Sequence, residues 1–195
     1  MSDWRFPQDD GHTPLSEEDR QGLLLSHIAT RDDLNDAEQR NIAKALRRRA
    51  PTVDKLLDDM YLRGLHKAMF GEVWEWAGKY RQRVTNVGIA PAQISTDLRT
   101  LTGDAKEWVE HRYFEPDELA VRFHHRLVTI HPFPDGNGRH SRISADYLAQ
   151  ALNRSPFSWG AHLDLEIDAL RRTYLTALRT ADRGDISPLL SFARN

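Results

Sequence analysis

The 195-residue sequence contains no cysteine. That excludes a disulfide framework, thiolate zinc and iron–sulfur sites and a cysteine nucleophile, and it suits a reducing cytoplasm. An excess of charge of one sign is also missing. With 27 Lys+Arg against 29 Asp+Glu the net charge is −2, so no general pull toward nucleic acid or anionic membrane is expected, and any phosphate binding must be local. Long apolar runs are absent. The longest, about Leu23–Leu25, falls far short of the ~18–20 residues of a membrane span, and Met1–Asp10 lacks the basic and apolar regions of a secretory signal. The expectation is a soluble cytoplasmic protein that binds neither membrane nor nucleic acid directly. Lysine is scarce beside arginine, 5 against 22, and arginine suits bidentate phosphate contacts. The Arg47-Arg48-Arg49 run reads as a solvated helix end.

At 22.5 kDa the chain suits one domain, burying roughly 70% of its unfolded surface without a staple. Residues 1–30 read as a partly mobile N-terminal extension, the first dozen or so as a tail, and residues 31–195 as a single domain. Apolar residues recur at helical spacing over Arg31–Arg48, Val53–Phe70, Ser95–Glu110, Asp117–Ile130, Arg139–Asn153 and Leu163–Arg179. Ser95 or Thr96 is a candidate cap and Pro116 a helix opener. The last segment places Ile167, Leu170, Tyr174 and Leu178 in one stripe. Tyr80–Ile94 breaks the rhythm with β-branched residues, an Asn86-Val87-Gly88 turn and Pro91, predicting a short hairpin. The fold class is therefore all-α with one β-hairpin. Phe70, Trp74 and Trp76 read as core.

Chemistry concentrates between His131 and Arg142. A helix ends near His131, Pro132 and Pro134 forbid its continuation, and a new helix begins near Gly138 or Arg139. Gly136 and Gly138 permit unusual dihedrals that turn N–H groups toward one point at the positive end of the second helix, an anion nest. Arg139 and Arg142, three apart, can add two guanidinium forks to a polyphosphate. Such an anion arrives with Mg²⁺, for which Asp135 offers a carboxylate. His131 is the nearby group with a near-neutral pKa and suits a general base. Asn137 is a neutral donor for a phosphate oxygen, and Phe133 is expected to plug into the core. Each part alone has a blander reading, as a structural histidine, a turn or a solvated charge. His124, His125, His131 and His140 lack metal-ligand spacing.

The segment reads H-x-F-x-[DE]-G-N-G-R-x-x-R and resembles the signature of the Fic family without a departure. Leu65-His66 to Phe70, Trp74-Glu-Trp76-Ala-Gly-Lys-Tyr-Arg81 and Phe123-His-His-Arg126 resemble the family too, over about Leu57–Leu152. With Ser26-His-Ile-Ala-Thr-Arg31, the chain is most similar to the short bacterial Fic type called mobile mystery protein B. The resemblance implies a nearly all-α fold and transfer of AMP from ATP to a Ser, Thr or Tyr hydroxyl of a target protein. It implies His131 as base, Asp135 holding Mg²⁺, and Asn137 at the α-phosphate. Gly136 and Gly138 would cradle the anion, Arg139 would reach the β- or γ-phosphate and Arg142 the γ-phosphate. The hairpin at about 80–94, with Arg83, Val84, Thr85, Asn86, Val87 and Gly88, matches the flap that docks the target by strand addition.

Many relatives carry an inhibitory [ST]-x-x-x-E-[GN] helix whose glutamate pairs with the second arginine of the motif. Here Glu38 stands in the right region, with Leu34 and Gln39 where Ser/Thr and Gly/Asn are expected, and its expected partner is Arg142. Thr13-Pro-Leu-Ser-Glu17 fits only the first part of the pattern. Two other functions remain. One is removal of AMP, or transfer of another phosphate-containing moiety, at the same site. The other is a catalytically restrained regulatory module, of the toxin–antitoxin kind, bound to a helix-turn-helix protein.

Overall fold

The computed structural model describes residues 15–195. The expected tail, and Thr13 of the second inhibitory candidate, lie outside the described residues. In chain order the helices are α1 (Glu17–Gln21), α2 (Arg31–Leu46), α3 (Val53–Leu56), α4 (Asp59–Phe70), a 3₁₀ turn (Pro91–Gln93), α5 (Ile94–His111), α6 (Pro116–Ile130), α7 (Asn137–Ala151), α8 (Ile167–Ala181) and α9 (Ser187–Arg194). Helix α6 is central. It packs against α7, α5 and α9, while α2 lies along α4 and α8 along α9. One apolar core runs from Leu15 and Ile28 to Phe192 and Ala193. Among the described residues no helix is long and apolar enough to cross a membrane.

Local chemistry sets the ends of these elements. Thr30 and Ser16 open α2 and α1 with capping boxes completed by Asp33 and Asp19. Pro116 sits in the first turn of α6, and His131 closes that helix in the left-handed region at φ 54°. The helix expected over Val53–Phe70 is two helices, because the Asp58 carboxylate accepts from the Tyr61 N–H at 2.9 Å and starts a new first turn. Neither Ser95 nor Thr96 caps α5, which follows directly on the proline-led 3₁₀ turn. Helix α7 begins at Asn137, after Gly136, slightly ahead of expectation. Ile167 leaves the predicted α8 stripe: it is the first residue of the helix, beyond the edge of the core, and 83% exposed.

The expected hairpin forms no paired strands. Among the described residues the strand pairing is a lone antiparallel bridge, Leu23 to Trp74, and residues 80–90 form an extended loop with bends. The reason lies in the Arg81 guanidinium, which takes the Arg83 and Ile89 carbonyls that a ladder would use. Thr85 Oγ1 donates to the Val87 carbonyl across the tip at 2.6 Å.

Candidate active site

The loop between α6 and α7 is fixed from within. Phe133 is fully buried and stacks on the His66 ring with centroids 3.7 Å apart. Asn137 closes the loop on the same residue: its Oδ1 accepts from the Phe133 N–H at 2.9 Å and its Nδ2 donates to the Phe133 carbonyl at 2.8 Å. The side chain expected at a phosphate is thus engaged in holding the turn. His66 is a support that sequence reasoning placed only in a family-like helix. Its Nδ1 accepts from the Gly78 N–H at 3.0 Å, so Nε2 carries the proton and donates to the Asp135 carbonyl at 3.0 Å. Burial, the neighbouring His140 and the Arg139 charge hold the His66 pKa well below the ordinary range, against the pull of the Asp135 carbonyl.

Gly136 takes φ 77°, and a Cβ there would come within 2.7 Å of the Phe70 ring. This left-handed residue turns the chain into α7, whose N-terminus has no side-chain cap. The first-turn N–H groups of α7 therefore have no side-chain cap, the condition an anion nest at the two glycines requires. Around Gly138 nothing lies within 4 Å of where a Cβ would sit.

His131 is 8% exposed at the rim. Its Nδ1 lies 3.2 Å from the Val128 carbonyl, which can only accept, so the proton sits on Nδ1 and Nε2 is the basic nitrogen. Burial brings the pKa down to about 4, outweighing the Val128 carbonyl and the Asp135 carboxylate, which push it up. The ring is neutral at pH 7 and able to accept a proton.

The two arginines go to different neighbours. Arg139 Nη1 lies 2.6 Å from Glu38 Oε2, Nη2 lies 3.6 Å from Asp135 Oδ2, and the guanidinium rests over the Phe70 ring at 4.8 Å. Burial lowers its pKa, but the Glu38 and Asp135 carboxylates more than offset that and leave it raised. Arg142 lies over the Tyr174 ring at 5.4 Å. The expected Glu38–Arg142 pair is therefore corrected to Glu38–Arg139. Trp74 Nε1 donates to Glu38 Oε1 at 2.7 Å, which leaves Oε2 facing the first arginine of the motif, while Arg142 sits one turn further along α7. Trp74 carried no sequence signal for this role beyond its place in the core.

Of residues 83–88, Gly88 lies against His131. Arg83 Nε donates to Asp19 Oδ2 at 2.9 Å, and Trp76 Nε1 donates to the Asp19 carbonyl at 2.9 Å. Part of the expected extension is thus fastened to the 80–90 loop and the core. The donor set suits Mg²⁺ accompanied by phosphates, with Asp135 as the single carboxylate on the loop. Among the described residues no group of three His, Cys, Asp or Glu side chains can hold a metal unaided.

A family model described as the Fic/DOC family matches residues 56–149. Two proteins called protein adenylyltransferase Fic, from Aedes aegypti and Drosophila melanogaster, are each 30% identical over 132 residues, 66% of this chain and 25% of theirs. The chain thus spans about a quarter of the length of the curated relatives it matches. Among solved structures, BepC of Bartonella tribocorum with bound AMPPNP superposes with TM-score 0.69 at 18% identity, covering 92% of this chain and 97% of that one. The N-terminal Fic domain of a Bartonella quintana effector with bound ADP gives TM-score 0.67 at 19% identity, covering 87% and 86%. These two likenesses establish the fold.

Proposed function

We propose that this chain, which belongs to the Fic/DOC family, transfers AMP from ATP to a hydroxyl side chain of a protein and rests in a restrained state. The observation that carries the proposal is the His131 imidazole, neutral at pH 7 and with Nε2 as its basic nitrogen, set beside an uncapped helix N-terminus in one short loop. The relatives' name supplies the reaction class.

The chemistry balances as an in-line displacement. The target hydroxyl oxygen attacks the α-phosphorus, its proton passes to His131 Nε2, and the bond to the β-phosphate breaks with release of pyrophosphate. First-turn N–H groups at Asn137 and Gly138 receive phosphate oxygens, and Gly136 shapes the turn that aims them. Asn137 contributes chiefly by closing the loop on Phe133. Arg139 and Arg142 supply positive charge to the β- and γ-phosphates once Arg139 leaves Glu38. Asp135 would hold Mg²⁺, which neutralises phosphate charge when bound. Flap residues Arg83, Val84, Thr85, Asn86, Val87 and Gly88 would receive the target backbone. We assign residues 31–195 to one domain and 1–30 to its extension. A cytoplasmic setting and a helix-turn-helix partner remain part of this reading.

Restraint follows from the pair at Glu38. A carboxylate that binds Arg139 competes directly with a phosphate for that guanidinium, and Arg139 also bridges to Asp135. The test is incubation with α-labelled ATP and Mg²⁺, with and without cell extract, for the parent chain, Glu38→Gly and Glu38→Gly with His131→Ala. Label is expected on protein in Glu38→Gly and absent from the double variant. ATP binding by Glu38→Gly with no label on protein overturns the transferase assignment and favours a regulatory module.

A further inference from the structure

Among the described residues, one buried cation beside the site has backbone carbonyls, and no carboxylate, as the hydrogen-bond partners of its guanidinium. Arg81 is 2% exposed. Its Nε donates to the His131 carbonyl at 2.7 Å, Nη1 to the Arg83 carbonyl at 3.0 Å, and Nη2 to the Ile89 carbonyl at 2.5 Å and the Ile130 carbonyl at 3.4 Å. The Arg81 backbone N–H donates to the Pro132 carbonyl at 3.0 Å. The single side chain thus reaches both arms of the 83–89 loop and the last two residues of the α6 turn that bears the imidazole. Burying a charge this way is costly unless every donor is satisfied. The planar fork places four of its five donors on carbonyls, in directions that a single ammonium cannot cover.

Gly88 completes the contact from the other side. At φ 100°, a Cβ there would fall 2.5 Å from His131 Cβ, 2.6 Å from Arg81 Nη2 and 3.2 Å from the Ile130 carbonyl oxygen. His131 holds a left-handed backbone, so holding its carbonyl also holds the Cα–Cβ bond that carries the ring. We infer that Arg81 is a positioning residue for AMP transfer: by clasping both arms of the flap and the His131 carbonyl, it sets the distance from a target segment docked on the flap to Nε2. This inference rests on the transferase reading above and adds a residue that touches neither nucleotide nor target.

The test places Arg81→Lys, Arg81→Gln and Gly88→Ala in the Glu38→Gly chain. All three are expected to bind ATP within about twofold of that parent and to lose about 100-fold in kcat for AMP transfer, the scale of a 1 Å misplacement. Hydrogen exchange is expected to accelerate at the Arg81 and Ile89 amides. Lysine is expected not to rescue, since one ammonium cannot span both arms. Two results overturn the inference: transfer within about twofold of the parent in Arg81→Gln, or ATP affinity falling in step with transfer in both Arg81 variants. An unlabelled Glu38→Gly parent defeats the transferase reading instead. In that case unchanged exchange at Ile89 in Arg81→Gln separately defeats the clasp.

Discussion

Glu38 and Arg139, 101 positions apart in the chain, meet with Oε2 and Nη1 at 2.6 Å beneath the Trp74 indole, whose N–H holds the other carboxylate oxygen. On the proposed reading, this pair makes α2 a competitor for the phosphate site.

Two substitutions at Glu38 separate its charge from its shape. Glu38→Gln keeps an acceptor for Trp74 and removes the negative charge that faces Arg139. Losing a charge-assisted bond of about 1.5–3 kcal/mol is expected to raise automodification by about ten- to a hundredfold and to lower Tm by several degrees. Glu38→Gly is expected to activate similarly while also losing the Trp74 bond and about 1 kcal/mol of helix propensity. Labelled ATP and thermal denaturation measure both effects. Equal, low labelling in parent and Glu38→Gln counts against restraint by this pair.

The two glycines of the loop are expected to behave oppositely. Gly136→Ala meets the Phe70 ring and a left-handed backbone, a strain of roughly 1–2 kcal/mol or more, and should lower Tm by several degrees. Gly138→Ala has open space and should leave Tm unchanged. Its methyl instead stands where phosphate must approach, so ATP affinity is expected to fall about tenfold, or 1.4 kcal/mol. Calorimetric titration distinguishes the two, and a Gly138→Ala chain that binds ATP normally removes Gly138 from the cradle.

His66→Phe fills the same apolar space but strands the Asp135 carbonyl and the Gly78 N–H. Each unsatisfied group costs about 1–3 kcal/mol. The loop that carries Asp135 should loosen, with faster amide exchange at residues 135–138 and weaker Mg²⁺-dependent ATP binding. Unchanged exchange there would show that Phe133 packing alone holds the turn.

Acid should unfold this protein early. Burial holds His124 at about 3, His131 at about 4 and His140 at about 4, and His66 well below the ordinary value of 6.5. Because these folded-state values lie below the unfolded ones, the unfolded chain takes up protons first as pH falls. Their contribution is complete above about pH 6.5 and is lost on acidification toward about pH 4, each group adding a slope of up to about 1.4 kcal/mol per pH unit. Asp146 opposes this. Burial raises its carboxyl to about 6, so the folded state takes that one proton first and offsets about one histidine. Denaturant midpoints at pH 7, 6 and 5 should fall steadily, and a flat profile contradicts the burial of these rings.

The sequence by itself determined most of the longer helices and the chemistry-bearing loop. Hydrophobic period, capping residues and the proline–glycine punctuation of residues 131–142 are local signals, read within a few turns of chain. It also marked Phe133 as an anchor and Glu38 as an acid in the right region. Tertiary structure decided partners. Side chains that meet across a hundred positions do so through the way α2, α4 and α7 pack, which no local pattern encodes. Hence Glu38 reached Arg139 and not Arg142, Asn137 closed its own loop, and His66 came to hold Asp135. The hairpin failed for the same reason: β-branched residues and a turn suit a ladder, but a buried guanidinium from Arg81 took the carbonyls first and tied them to His131.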